Sequence, residues 1–112
     1  MRQRAHRDRN QSEIVQALER IGCSVHDMAA VGGGFPDLVV SFRTDLGGTT
    51  VLMEIKHPSP SRPRGKDMET QQAFREHWRD KVHQVISVDE AVAVVQRRKA
   101  WAQAIRRSAN GS

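Results

Sequence analysis

Two short stretches of this sequence carry side chains suited to work on phosphate: Pro36-Asp37 and, after an intervening strand and turn, Glu54-Ile55-Lys56. Side chains alternate along an extended segment, so Glu54 and Lys56 project the same way, roughly 7 Å apart. If the chain reverses between the two stretches, Asp37 arrives beside them. Two carboxylates and one ammonium would then converge. Mg²⁺ favours hard oxygen ligands and one or two carboxylates; Asp37 and Glu54 offer these, and the backbone carbonyl of Ile55 offers another oxygen. Such a cation activates a water and offsets charge on a phosphate, while Lys56 orients that water or neutralises the transition state. These are the parts of phosphodiester hydrolysis.

Each stretch alone has a plain explanation. Asp after Pro is a common turn residue, and Glu-x-Lys is often a solvated strand face. The neighbours argue otherwise. Leu38-Val39-Val40 and Val51 to Ile55 are too apolar for edge strands, so charges embedded among them call for a reason.

The elements that must position these residues can be read in order. Asn10 with Glu13 makes a capping-box pair, and Ile14, Leu18 and Ile21 form one helical stripe ended by Gly22. A first strand is expected over 23–31, with Val25 and Val31 as β-branched members. Gly32-Gly33-Gly34 breaks the chain. It lacks the Gly-Lys-Ser/Thr ending of a phosphate loop, which argues against a nucleotide cofactor, and suits a tight turn that lets a DNA backbone approach. Leu38 to Phe42 reads as a second strand, Asp45 to Gly48 as a hairpin turn, and Thr49 to Lys56 as a third strand. On the third, Val51, Met53 and Ile55 face one way, and Leu52, Glu54 and Lys56 the other. The Pro/Ser/Arg-rich segment 58–65 is a loop, expected to be mobile. A helix follows over about Asp67 to Asp80, where Phe74 and Trp78 would bury together. Then come a strand over Val82 to Ser87 and a last helix capped by Ser87 and Glu90, with Ala91, Val94 and Val95 inside. This is an α/β order.

With 112 residues the chain has material for one core. The expected division is a flexible basic arm at 1–9, a single domain at 10–107 and a disordered tail at 108–112. The formal charge of +5 is unevenly spread. Arg2, Arg4, Arg7 and Arg9 crowd the start; Arg62, Arg64 and Lys66 sit in or beside the loop; Arg97, Arg98, Lys99, Arg106 and Arg107 gather near the end. Clustered cations suit a polyanion, although a solvated basic surface explains the charge alone equally well. The loop trio with Arg97 and Arg98 are the expected DNA contacts. His6, His26, His77 and His83 show no metal-ligand spacing, and His57 reads as a strand-end residue. No apolar run approaches the ~20 residues of a membrane span. The single cysteine, Cys23, excludes an internal disulfide and fits a reducing compartment, so the expected location is the cytoplasm.

Gly34-Phe35-Pro36-Asp37-Leu38-Val39-Val40, Leu52-Met53-Glu54-Ile55-Lys56 and Thr70-Gln71-Gln72-Ala73-Phe74, in that order, resemble the VRR-NUC branch of the PD-(D/E)xK nucleases. The likeness spans roughly residues 11–95. It implies a restriction-endonuclease-like αβββαβ core with a mixed central sheet flanked by helices, Mg²⁺ or Mn²⁺ as cofactor, metal ligation by Asp37 and Glu54, and Lys56 as the catalytic lysine. The family pattern has an acidic residue on the first helix, which Glu13 matches, as holder of a metal-bound water or a second ion; a capping-box glutamate needs no such role. It also carries a glutamine on the helix after the catalytic strand. Gln71 shares the face of Phe74 and Trp78, while Gln72 falls with Arg75, Glu76 and Arg79 on a polar side, so Gln71 is the better candidate.

Small stand-alone members of that branch, many in bacteriophages, resemble Holliday-junction resolvases. The expected function is therefore a metal-dependent DNA endonuclease preferring branched DNA, in the host cytoplasm if phage-encoded. The rivals are a restriction-type, nicking or repair endonuclease on other DNA, and a DNA-binding module with a vestigial site. Two nicks across a junction require two centres, which implies a homodimer. Val92, Val94, Val95, Trp101 and Ile105 are its expected contact stripe; the other arrangement folds this helix back on its own sheet, with Trp101 capping the core.

Overall fold

The structure, a computed structural model, describes residues 2–56 and 65–110, with side chains described over 9–56 and 69–110. Seven elements follow one another: α1 (Arg2–Arg20), β1 (Ser24–Asp27), β2 (Leu38–Thr44), β3 (Gly47–Ile55), α2 (Gly65–His77), β4 (Val82–Val85) and α3 (Val88–Asn110). The chain is α/β, with the element order expected from the sequence.

The four strands form one mixed sheet in the order β1-β2-β3-β4. β1, β2 and β3 pair antiparallel, and β4 joins β3 in parallel. A parallel neighbour requires a crossover, which α2 supplies. The β2–β3 hairpin turns on Asp45 and Leu46, with Thr44 opposite Gly47. Gly47 has φ 110°, a region that favours glycine. The Thr44 hydroxyl accepts from the Leu46 N–H at 3.1 Å and donates to the Gly47 carbonyl at 2.9 Å.

β2 and β3 are central, as their apolar content demands. One face of the sheet carries Leu38, Val40 and Phe42 from β2 and Val51, Met53 and Ile55 from β3, against Ile14 and Leu18 of α1 and Ala91, Val94 and Val95 of α3. α2 lies over the opposite face. Leu52 and Glu54 are buried there, so every residue from Val51 to Ile55 is inside.

Several element boundaries differ from those expected from the sequence. α1 starts at Arg2, so residues 2–9 are helical rather than an irregular arm, and Asn10 lies inside the helix. No Gly or Pro interrupts 2–20, and helix propagation overrides the capping preference of Asn10. Its Nδ2 is buried and finds no partner among the described residues. β1 stops at Asp27 because its Oδ1 accepts from the Ala29 N–H at 2.9 Å and turns the chain; Val31 is exposed. β4 stops at Val85, since the cap of α3 takes the next residues. There Ser87 Oγ accepts from the Glu90 N–H at 3.2 Å, and Glu90 Oε1 accepts from the Ile86 N–H at 3.0 Å. α3 continues to Asn110, so 108–110 are helical. Phe74 and Trp78 stack with centroids 5.1 Å apart, but Trp78 stays 41% exposed. Val94 and Val95 belong to the chain's own core, and Trp101, 55% exposed, does not cap it. Of the segment 58–65 expected as a loop, residues 58–64, with Arg62 and Arg64, lie outside the described residues, and Gly65 begins α2; Lys66 falls in α2 but its side chain does not belong to the described set. Among the described residues no helix is long and apolar enough to cross a membrane.

Candidate active site

Asp37 precedes β2 by one residue and Glu54 follows Met53 on β3. Leu38 and Met53 are paired across the two strands, so Asp37 and Glu54 stand opposite each other one step further along. Leu38 and Met53 point into the core. Strand alternation therefore turns both carboxylates to the face under α2.

The pair is tightly fixed. Asp37 Oδ2 accepts from the Ile55 N–H at 2.8 Å, and the Asp37 carbonyl accepts from the Met28 N–H at 2.7 Å. Glu54 is only 4% exposed. Burial, a hydrogen bond to Asp37 and the charge of Asp37 push its carboxyl up to about 8, against the lowering pull of Lys56 and Arg75. Two carboxyls in one desolvated site cannot both ionise cheaply, so the pair retains a proton near neutrality. Ile55 is pinned to Asp37 through its N–H, which holds its carbonyl next to the pair in sequence at the end of β3.

Lys56 follows β3, its N–H donating to the Val85 carbonyl at 2.8 Å. Its Nζ donates to Gln71 Oε1 at 2.7 Å. Gln72 points elsewhere: its Nε2 donates to Glu76 Oε1 at 3.1 Å on the exposed side of α2. Helical phase thus selected the glutamine that reaches the lysine. It misplaced Arg75, which is half-buried and acts on Glu54. Its signal was the spacing of four from Gln71, which puts both on one face.

α2 is held close by Gly34. That residue has φ +81°, and a Cβ there would fall on the Thr70 carbonyl. Gly34 therefore admits the backbone of the chain's own helix beside Gln71, while Gly32 and Gly33 are exposed with open space around them. Phe35 meets Phe74 edge-on at 5.3 Å and completes that contact.

Other expected site residues lie apart. Glu13 is exposed on α1, in the layer across the sheet, and is not among the charges acting on Glu54. Among the described residues no three His, Cys, Asp or Glu side chains converge as a metal group; the acidic centre is a pair. Arg97 and Arg98 belong to α3. They gather with Lys81 around His83 at the β4 edge, where burial first and then these cations hold the imidazole below its usual range. Arg98 also lies over the Trp101 ring at 5.6 Å. Cys23 is buried, and its thiol is pushed up by burial, so it is not a nucleophile.

No family model, curated protein or solved structure matches the chain.

Proposed function

We propose that the chain is a divalent-metal-dependent DNA endonuclease of the VRR-NUC type, acting by preference on branched DNA. The observation that carries the reading is the facing Asp37–Glu54 pair, its glutamate buried, with the Lys56 ammonium held at its side by Gln71. A sheet interior has no structural use for two facing carboxylates, and burying them costs stability. A site that binds a cation gives them a use. The order of elements, with the carboxylates on the two central strands and the glutamine on the following helix, supports the same reading.

The donor set fits Mg²⁺ or Mn²⁺: hard oxygens, paired, with the proton affinity of Glu54 raised by burial and by the neighbouring Asp37. Asp37 and Glu54 would hold the ion, with the Ile55 carbonyl as a further oxygen; when bound it supplies Lewis acidity toward a water and a phosphate oxygen. Lys56 is oriented by Gln71 and places a positive charge where charge develops on the phosphoryl oxygens. Arg75 adds a second cation on the same side. Burial of Glu54 reduces the screening of its charge by water. Glu13 has no part in this centre. Surface cations, Arg97 and Arg98 among them, would meet the phosphates that flank the cut, as would Arg62, Arg64 and Lys66.

Purified protein incubated with linear, nicked, flap and four-way DNA in Mg²⁺, Mn²⁺ or EDTA tests the proposal. Cleavage is expected with metal only and fastest on branched DNA, and Asp37→Ala or Glu54→Ala should reduce it by roughly a thousandfold while the fold persists. Equal cutting of linear DNA would leave a restriction-type, nicking or repair nuclease. DNA binding with no cleavage in either metal would leave a vestigial module.

A further inference from the structure

A second feature lies on the face of the sheet that carries Glu54. A cavity of about 400 Å³ opens between the middle of β3 and the end of α2. Thr50 and Leu52 form its floor, Trp78 a wall, and His77, Arg79 and Lys81 its rim. Asp80 also lines it, with one carboxylate oxygen engaged by the Lys81 N–H. The lining is mainly apolar. Phe74 covers one face of the Trp78 indole, stacked at 19°, and 41% of the residue remains exposed.

Three observations point to one occupant. A concave apolar slot walled by an indole suits a flat aromatic group, and stacking on such a ring is the general way single-stranded nucleic acid is held. The rim cations suit phosphate. Lys81 also lines the neighbouring cavity with His83 and Arg97, where Asp89 and Glu90 share the lining, so the cations that serve the slot are those on its own rim. Finally, Leu52 is two residues from Glu54 on the same strand face, roughly 7 Å away. The ring row Phe35, Phe74, Trp78 runs from beside Asp37 to the same slot. A base paired within a duplex cannot enter a concave slot; an unpaired or extruded one can.

We propose that this cavity receives a single unpaired nucleobase next to the scissile phosphate, stacked on Trp78 with its phosphates on Arg79 and Lys81. The inference rests on the nuclease reading and narrows its substrate to DNA with an unpaired or readily extruded nucleotide.

The test measures binding in EDTA, so that it is independent of cleavage. The probes are a duplex and the same duplex bearing one bulged 2-aminopurine. The wild-type chain and Trp78→Phe should bind the bulged DNA more tightly and quench its fluorescence. Trp78→Ala should lose roughly five- to a hundredfold of the affinity for bulged DNA with duplex affinity unchanged. Because Trp78 is exposed, that variant is expected to fold, and unchanged thermal unfolding would verify it. Equal preference and quenching by Trp78→Ala would overturn the inference, as would no binding to either DNA. A change in sedimentation of Trp78→Ala without a change in DNA binding would assign the slot to a second copy and overturn it too. Preference for the bulge in a protein that cuts nothing in Mg²⁺ would uphold the slot and sink the nuclease reading alone.

Discussion

Asp37 and Glu54 face each other across the two central strands, one step past the Leu38–Met53 pair, and share a hydrogen bond, with Glu54 buried and Asp37 half-buried. Their chemistry follows from that closeness. Buried beside Asp37, Glu54 holds a proton that a cation would displace.

The first prediction concerns pH. The Glu54 carboxyl sits at about 8 in the folded chain against an ordinary 4.5. Between these values the folded chain binds a proton that the unfolded chain has released, so this group's contribution makes stability fall as pH rises from about 4.5 to about 8 and level off above. Thermal unfolding of metal-free protein should show that decline, on the order of a few kcal/mol in all, and Glu54→Gln should flatten it. Mg²⁺ should stabilise more at pH 8 than at pH 5, because binding expels the proton. Parallel pH profiles for wild type and Glu54→Gln would count against the shared proton.

Lys56 and Gln71 make the second test. Lys56→Ala should lower the cleavage rate by about a hundredfold or more while metal still binds, as expected for loss of one preorganised donor. Gln71→Ala should cost less, roughly tenfold, because the lysine remains but loses its orientation. Gln72→Ala should cut normally, since its partner is Glu76 on the exposed side. Single-turnover rates with saturating DNA separate the three; equal losses for Gln71→Ala and Gln72→Ala would mean general damage to α2.

Gly34 provides a third. Any side chain there must adopt φ +81° and displace the Thr70 carbonyl. Gly34→Ala should destabilise the fold by about 2 kcal/mol or more and shift α2 enough to lower activity. Gly33→Ala, where a Cβ meets nothing within 4 Å, carries the strain of φ +65° alone and should be milder in a denaturant melt. Equal destabilisation by both would show that the approach of α2 does not matter.

The last prediction addresses assembly. Trp101 and Ile105 stand 55% and 43% exposed on the far half of α3. Paired nicking of a junction needs two centres, and a two-fold contact through this stretch would provide them. Sedimentation at micromolar concentration should show a dimer that Trp101→Ala with Ile105→Ala converts to monomer. A wild-type monomer, with and without junction DNA, that still makes paired nicks would end the dimer proposal.

The sequence by itself determined the order of elements, the two central strands and the face on which Glu54 and Lys56 lie. These follow from local rules: alternation along strands, helical spacing, and turn residues such as Gly47 that the backbone requires. It did not determine where α1 begins, since Asn10 favours a cap only until a longer uninterrupted helix outweighs it. It left the dimer stripe unresolved, because Val94 and Val95 look alike whether they face a sheet or a partner. Helical phase also favoured Gln71 over Gln72, but only the tertiary structure decided that Arg75 bears on Glu54, that Glu13 stands apart, and that Trp78 walls a cavity. The places of Arg75 and Trp78 depend on how closely α2 approaches, which the meeting of Gly34 with Thr70 limits; these two residues are remote in sequence, and no local pattern encodes their contact.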